Sequence, residues 1–264
     1  MIYVAVVSHG HEDIINELSC IDSLAQSEDI TVVIKDNLAS GVLRKKYRDN
    51  PNITVIEDSP GLGFGENNNF IFNYCLSSLE ANLADWFLIL NPDVKVSQDV
   101  VCKLHTCAES SGYDFSTINL YKDIANNVPD NNIRTFPSLF DFISSYIFGK
   151  NDTIINKSML DTDTAIDWVA GSFLFIKFEI YNKLNGFDEQ YFMYCEDIDI
   201  CWRYSKIFSK KVMYIPYLKA LHDYRKANRR FFSSHFRWHV KSMFIFLYKK
   251  VTNNISSVNK TRKS

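Results

Sequence analysis

Short apolar runs alternate with helix-period stretches through the first third of the chain, a pattern that predicts repeated βαβ units. Residues 2–7 (Ile-Tyr-Val-Ala-Val-Val) read as a buried strand. A helix over 12–25 follows, placing Ile14, Ile15, Leu18 and Ile21 on one face. Residues 30–35 form a second expected strand, 42–47 a short basic helix and 53–56 a third strand. A Gly-rich turn leads into a helix over 66–79, and 86–90 (Trp-Phe-Leu-Ile-Leu) is a fourth strand. Asn91-Pro92 stops it, because proline has no amide to donate and restricts the residue before it. Four strands joined by crossovers imply a parallel sheet, whose ligands sit beyond the carboxyl ends of the strands.

The middle of the chain is less regular. The pattern predicts a helix over 98–109, a strand over 115–118, an exposed polar loop over 126–132, an aromatic helix over 139–148 and a strand over 168–176. A helix over 179–184, a strand over 211–215 and one aromatic, basic helix over 229–250 complete the reading. Of the 264 residues 46% are hydrophobic and 23% charged, which fits a soluble fold with a sizeable core and excludes disorder, collagen and a disulfide-stapled scaffold. No apolar run approaches the roughly 18 residues of a spanning helix. No basic stretch or small-residue cleavage site accompanies residues 2–7, so the expected compartment is the cytoplasm. The six cysteines contain no C-x-x-C pair and read as reduced packing residues.

The formal charge of −2 hides an uneven split. Residues 219–264 carry twelve Lys or Arg against the single acid Asp223, a local +11, which leaves −13 on residues 1–218. An acidic body ends in a basic tail.

Candidate chemistry lies where the apolar strands end. Ser8-His9-Gly10 and Asp36-Asn37 are polar exits that could hydrogen-bond a nucleobase and ribose, or simply form caps and turns. Gly61-Leu62-Gly63-Phe64-Gly65 precedes Glu66 and the run Asn67-Asn68-Asn69. Glycines there permit close approach, and the following helix could offer its amides to a diphosphate, although G-x-G-x-G is not the dinucleotide fingerprint. Asp93, in Asn91-Pro92-Asp93, offers the oxygen ligand that Mg²⁺ or Mn²⁺ prefers. The most distinctive segment is Glu196-Asp197-Ile198-Asp199, flanked by Tyr191, Phe192, Met193, Tyr194 and Trp202. Three carboxylates among apolar neighbours repel one another and lose hydration, which is costly unless they are used. One can act as a general base, another can pair with Arg203. His105 reads as structural, and His9, His11, His235 and His239 lack metal spacing; His222 follows a strand-like run and, by itself, reads as a packing residue.

Taken in order, Asp36-Asn37, Gly63-Phe64-Gly65 with Asn68-Asn69, Leu90-Asn91-Pro92-Asp93, Trp168 with Gly171-Ser172, Asn185-Gly186-Phe187-Asp188 and Glu196-Asp197-x-Asp199 resemble the inverting family 2 glycosyltransferases. Within that family the chain is most similar to bacterial rhamnosyltransferases of O-antigen and other cell-envelope polysaccharides, over residues 1 to about 240. The resemblance implies an α/β GT-A fold, a Rossmann-like nucleotide-binding mixed sheet flanked by helices. It divides the chain into a nucleotide-sugar half (1–95), an acceptor and catalytic half (96–228) and a basic C-terminal helix and tail (229–264).

The resemblance also implies roles. Asp197 is the base that deprotonates the acceptor hydroxyl, with Glu196 beside it. Asp93, the last residue of the family's D-x-D motif, and His222 hold Mg²⁺ or Mn²⁺ on the diphosphate; the motif's first carboxylate is Asn91 here. Ser8, His9, Asp36, Asn37, Gly63, Gly65, Asn68 and Asn91 belong to the substrate site, with Asp36 on the base or ribose. Trp168 and Gly171 shape the acceptor side. Asp199 and Arg203 are counted with them, Asp199 being structural or paired with Arg203. The implied partners are a dTDP-sugar donor, dTDP-rhamnose, and a polyprenyl-diphosphate-linked N-acetylglucosamine acceptor. A transferase of another nucleotide sugar, or a silent nucleotide-sugar-binding protein, stays open.

Residues 229–250 mix basic and aromatic side chains at helical spacing. The readings are a nucleic-acid surface, an interfacial helix on anionic lipid, or a helix packed on the body with Lys249 onwards frayed. The acidic body repels nucleic acid, and a lipid-linked acceptor places the enzyme at a membrane. The expectation is a peripheral protein on an anionic surface, the cytoplasmic face of the bacterial inner membrane, with no nucleic-acid partner.

Overall fold

The computed structural model describes residues 1–125, 127–149, 151–223 and 234–255. The opening alternation folds as its pattern predicts. Strand β1 (Ile2–Ser8), helices α1 (Glu12–Leu18) and α2 (Cys20–Leu24), β2 (Ile30–Asp36), α3 (Val42–Tyr47), β3 (Ile53–Ile56), α4 (Phe64–Ser78) and β4 (Trp86–Leu90) follow in order. The expected single helix over 12–25 is broken at Ser19, whose φ of 50° ends α1 and reorients the chain. Helix α4 begins two residues earlier than expected, after the extended Gly63.

The second half adds β5 (Val94–Lys95), α5 (Gln98–Ser111), β6 (Phe115–Asp123), β7 (Val128–Pro129), β8 (Ile133–Arg134) and α6 (Leu139–Ile147). A 3₁₀ turn (Lys157–Met159) precedes β9 (Thr164–Ile166), β10 (Trp168–Val169), β11 (Phe173–Lys177) and α7 (Phe178–Lys183). The last elements are α8 (Glu196–Phe208), β12 (Val212–His222) and α9 (Ser234–Thr252). Residues 229–233 of the expected terminal helix lie outside the described residues.

The main sheet runs β3-β2-β1-β4-β11-β6-β12-β5. Its first four strands are parallel, but β11 joins β4 antiparallel, pairing Phe173 with Leu90. The sheet is therefore mixed, which corrects the all-parallel pattern. The chain enters β11 at the carboxyl end of β4, where Asn91 N donates to Ser172 O (3.0 Å), so it can only run down the sheet. The expected strand over 168–176 is in fact two strands in different sheets, since Trp168–Val169 pairs with Ile133–Arg134. Gly171 and Ser172 form the turn between them.

Strands β6 and β12 run further than the pattern suggested, with a register shift between Ile215 and Lys219 around Pro216, which has no amide for the ladder. This extension carries His222 to β5, beside Asp93. The polar stretch 126–132 is not simply an exposed loop either. Val128–Pro129 pairs with β6, and Asn132 is buried.

Alternation along the strands divides the core in two. Tyr3, Ala5, Phe87 and Ile89 face α4, α7, α8 and α9, whereas Ile2, Val4, Leu88 and Leu90 face α1, α2, α3 and α5. No described helix is long and apolar enough to cross a membrane. All six cysteines are free.

Candidate active site

The carboxylate cluster opens helix α8. Tyr194 and Cys195, at φ of 73° and 63°, turn the chain sharply so that Glu196 and Asp197 occupy the helix's first turn. Asp197 is held by two amides: Gly171 N donates to Oδ2 (3.0 Å) and Ile198 N to Oδ1 (2.8 Å). A side chain at residue 171 would press on the Phe64 ring at 3.1 Å and on Asp197 Cβ, so glycine keeps the amide against the carboxylate. Burial raises the Asp197 pKa, while the amide bonds and the Arg134 charge pull it back. Glu196 is buried, its Oε2 has no hydrogen-bond partner, and burial followed by the Asp197 charge drives its pKa well above the carboxylate range. The pair thus separates into a partly exposed carboxylate and a buried carboxyl that resists ionising.

Asp199 and Arg203 lie beneath this pair with no exposed surface. Arg203 donates Nε to Asp199 Oδ2 (2.6 Å), Nη1 to Leu184 O (2.5 Å) and Nη2 to Gly186 O (2.8 Å). Asp199 is structural and paired with Arg203, as the resemblance implied; being sealed under the site, the pair ties the 184–186 turn to α8 and presents no surface to a substrate, which corrects their being counted among the substrate contacts. Asn69, part of the quoted family motif but given no role of its own there, grips the same turn. Its Oδ1 accepts from Tyr181 Oη (2.7 Å) and Phe187 N (2.9 Å), and its Nδ2 donates to Phe187 O (2.8 Å). The available signal was three consecutive asparagines opening an otherwise apolar helix. Asn68 is buried too, with Nδ2 on Phe64 O and Oδ1 unpartnered.

On the donor side the structure reassigns several expected contacts. Asp36 is fully buried, and its oxygens accept from Leu38 N, Ser40 N and Ser40 Oγ at 2.8–3.1 Å. It shapes its own loop instead of facing a base or ribose. Asn37 holds the Gly-rich turn from both sides, donating to Leu62 O (2.9 Å) and accepting from Leu62 N (3.1 Å). Ser8 is buried with Oγ on His11 N, while His9 is exposed beside Asn37. Gly63 and Gly65 are needed for packing: a Cβ would stand 2.4 Å from Phe192 O at the first and 2.7 Å from Phe187 Cβ at the second. The first amide of α4, Phe64 N, already donates to Phe192 O (3.1 Å), so it is not offered to a diphosphate.

Asp93 and His222 meet because β5 and β12 pair antiparallel, Val94 opposite His222. His222 Nε2 lies 3.4 Å from Asp93 Oδ1, and Nδ1 lies 2.8 Å from Asp130 Oδ2. Burial lowers the His222 pKa, but the two carboxylates outweigh it and push it up to about 9. Asp130 was missed, hidden in a polar run that reads as loop. Among the described residues no group of three or more His, Cys, Asp or Glu forms a complete metal cage. The donors nevertheless fit a divalent ion: Asp93 Oδ1 is buried with only the long 3.4 Å approach of His222 Nε2, whose proton an ion between them would replace, and Asp130 orients the imidazole as a carboxylate orients a ligating histidine. Such an ion takes its remaining ligands from phosphate and water.

The two carboxylate centres are joined by backbone. Asn91 leads to Asp93, and its amide is bonded to Ser172, next to the Gly171 amide that holds Asp197. Trp168 is buried, donates Nε1 to Thr135 O (2.8 Å) and stacks under the Arg134 guanidinium at 5.2 Å. Its ring and Asn131 O, which accepts from Arg134 Nε (3.0 Å), hold Arg134, a second residue the sequence reading missed.

No family model matches the chain. It is 40% identical over 252 residues, 95% of its length and 94% of the relative, to rhamnosyltransferase WbbL of Escherichia coli K12. It is 27% identical over 85% of its length, and 76% of the relative, to the N-acetylglucosaminyl-diphospho-decaprenol L-rhamnosyltransferase of Mycobacterium tuberculosis H37Rv. Among solved structures, GalNAc-T7 with UDP, GalNAc and Mn²⁺ aligns at a TM-score of 0.60 with 13% identity, over 86% of this chain and 43% of that one. Staphylococcus aureus TarS 1–349 in complex with UDP-GlcNAc aligns at 0.56 with 15% identity, over 86% and 59%. These two speak to the fold, the sequence relatives to the family. A mixed sheet with its carboxylates gathered at one edge, and full-length likeness to a named rhamnosyltransferase, make this chain a member of the inverting family 2 glycosyltransferases of GT-A fold.

Proposed function

We propose that this glycosyltransferase moves L-rhamnose from dTDP-β-L-rhamnose to N-acetylglucosamine on a polyprenyl diphosphate, a step of O-antigen or other cell-surface polysaccharide assembly. The observation that carries the reading is near full-length likeness to one rhamnosyltransferase, joined by likeness to a second whose name specifies an N-acetylglucosaminyl-diphospho-lipid acceptor. The Asp197 geometry supports the chemistry. Two backbone amides fix the carboxylate, and burial brings its basicity nearer to neutral pH, where a general base works best.

In this reading Asp197 takes the proton from the acceptor hydroxyl as its oxygen attacks the anomeric carbon. The dTDP leaves from the opposite face, so the β-linked donor gives an α-rhamnoside. Glu196, whose burial favours the neutral acid, limits negative charge beside the base. The Gly171 and Ile198 amides, and after them the Arg134 charge, keep Asp197 ionisable despite its burial. Asp93 and His222 would hold Mg²⁺ or Mn²⁺, whose charge would offset that of the diphosphate. Asp130 would fix the His222 ring so that Nε2 faces the ion.

The enzyme works peripherally at the cytoplasmic face of the bacterial inner membrane, on an anionic surface. Phe244, Tyr248 and Val251 on the outer side of α9 support this, being exposed apolar and aromatic residues on a helix that also exposes Arg237 and Lys241. The test is incubation with a panel of nucleotide sugars and a synthetic lipid-diphosphate N-acetylglucosamine, with Mg²⁺ and with a chelator. Metal-dependent transfer from dTDP-rhamnose is expected. Transfer from a UDP-hexose but not from dTDP-rhamnose would overturn the donor and leave the family intact.

A further inference from the structure

Helix α9 is fastened to the segment that carries the base. From its N-terminal end onward, His235 Nδ1 lies 3.1 Å from Tyr194 Oη, Trp238 packs on Phe192 (4.7 Å between centroids), and Ser242 Oγ donates to Met193 O (2.9 Å). Phe246 meets Trp202 of α8 edge to face. One turn further on, Lys249 enters the core. Its side chain is 3% exposed, and Nζ donates to Asp188 Oδ2 (2.8 Å) and Asp199 Oδ1 (2.6 Å), with the Tyr191 ring 5.5 Å away. Tyr191 Oη also donates to Asp199 Oδ1 (3.2 Å). Asp188, Asp199, Arg203 and Lys249 thus form a buried set of two anions and two cations directly under Glu196 and Asp197.

A lysine that only anchored a surface helix would keep its ammonium in water. Burying it against two carboxylates is favourable only as part of a balanced set, and removing one member leaves an uncompensated charge in the core. We infer that Lys249 is a positioning residue for glycosyl transfer, balancing the buried charges beneath the base and holding the start of α8, so that the C-terminal helix is part of the catalytic apparatus. This rests on Asp197 being the base. Among the described residues, the charged and titratable groups that act most strongly around the Glu196–Asp197 pair are Asp199, Cys195 and Cys201 on or next to α8, and Arg134 from β8. The contact from α4 is the uncharged Gly65. The buried set reaches the pair through Asp199, whose charge Glu196 feels and which Lys249 neutralises, so loss of Lys249 leaves excess negative charge beneath the pair and loss of Asp188 leaves excess positive charge.

The two changes should act in opposite directions. With full-length enzyme and a short-chain, detergent-soluble acceptor, which removes any need for a membrane, Lys249→Met should lower kcat about 10–100-fold with little change in donor KM. It should also move the acid limb of the kcat profile to higher pH. Asp188→Asn, nearly isosteric, should move that limb to lower pH. The double variant Lys249→Met, Asp188→Asn restores one anion to one cation and should recover most of the lost kcat, which a purely mechanical anchor would not do. Should Lys249→Met not fold, the direction of the Asp188→Asn limb decides. A Lys249→Met enzyme with wild-type kcat and acid limb, or an Asp188→Asn limb that does not move, would overturn the inference. Asp197→Asn serves as the control. If it remains active the assignment of the base fails, whereas an inactive Asp197→Asn beside an unaffected Lys249→Met sinks only the role of Lys249.

Discussion

At the scale of single residues, the working contrast is between two adjacent carboxyls. Asp197→Asn should lower kcat at least about 10²-fold while dTDP binding, followed by protein fluorescence, stays close to wild type. Because burial raises the Asp197 pKa from its usual 3.8, the ionised base is lost as pH falls through that raised value, so the acid limb should lie above pH 3.8. Glu196 carries a stability consequence with a definite sign. Its folded pKa is raised, so the fold favours the neutral acid, and that contribution is complete below the unfolded value near 4.5 and declines as pH rises above it. Glu196→Gln should therefore gain a few degrees in Tm over wild type at pH 8 and much less at pH 4.5, as thermal scans at the two pH values would reveal. At the metal position, His222→Ala should raise the Mg²⁺ or Mn²⁺ concentration for half-maximal activity about 10–100-fold.

At the scale of elements, the catalytic edge depends on how α8 is clamped to the 184–188 turn. Gly186 has a φ of 62°, and an added Cβ would lie 2.2 Å from Asn69 Oδ1. Gly186→Ala should cost about 2–4 kcal/mol in urea unfolding, by backbone strain and loss of the Asn69 clamp. Arg203→Met should cost about 3–5 kcal/mol by the same measurement, since it leaves Asp199 buried with one cation fewer. The elements themselves were largely legible. The strand pattern of residues 2–90 survives almost unchanged because both faces of those strands are buried, which writes them as continuous apolar runs. The split of 168–176 into two strands was not legible. Both halves are apolar, and only the Gly171 amide reaching Asp197 shows why the chain turns there.

At the scale of the whole molecule, the basic tail has two parts. The inner side of α9 joins the core through Met243, Phe246 and Lys249, whereas Phe244, Tyr248 and Val251 face outward. Flotation with liposomes should carry full-length protein upward when anionic lipid is present, weakly in zwitterionic vesicles, and less as salt screens the attraction. Protein that never floats would count against the interfacial reading.

The sequence by itself determined the α/β alternation, the placing of polar residues at strand ends and the carboxylate cluster of residues 196–199, because periodicity and burial cost are local properties of the chain. Only the tertiary structure decided which of those residues remain open to chemistry. Asp36 is closed by its own loop, Asp199 and Arg203 are sealed below the site, and Asp93 receives His222 and, through it, Asp130. The decisive contacts join residues 92, 112 and 50 positions apart, as with His222 and Asp130, Tyr181 and Asn69, and Lys249 and Asp199. Whether a buried charge acts or merely holds depends on which opposite charge the fold brings to it, and chain spacing does not record that.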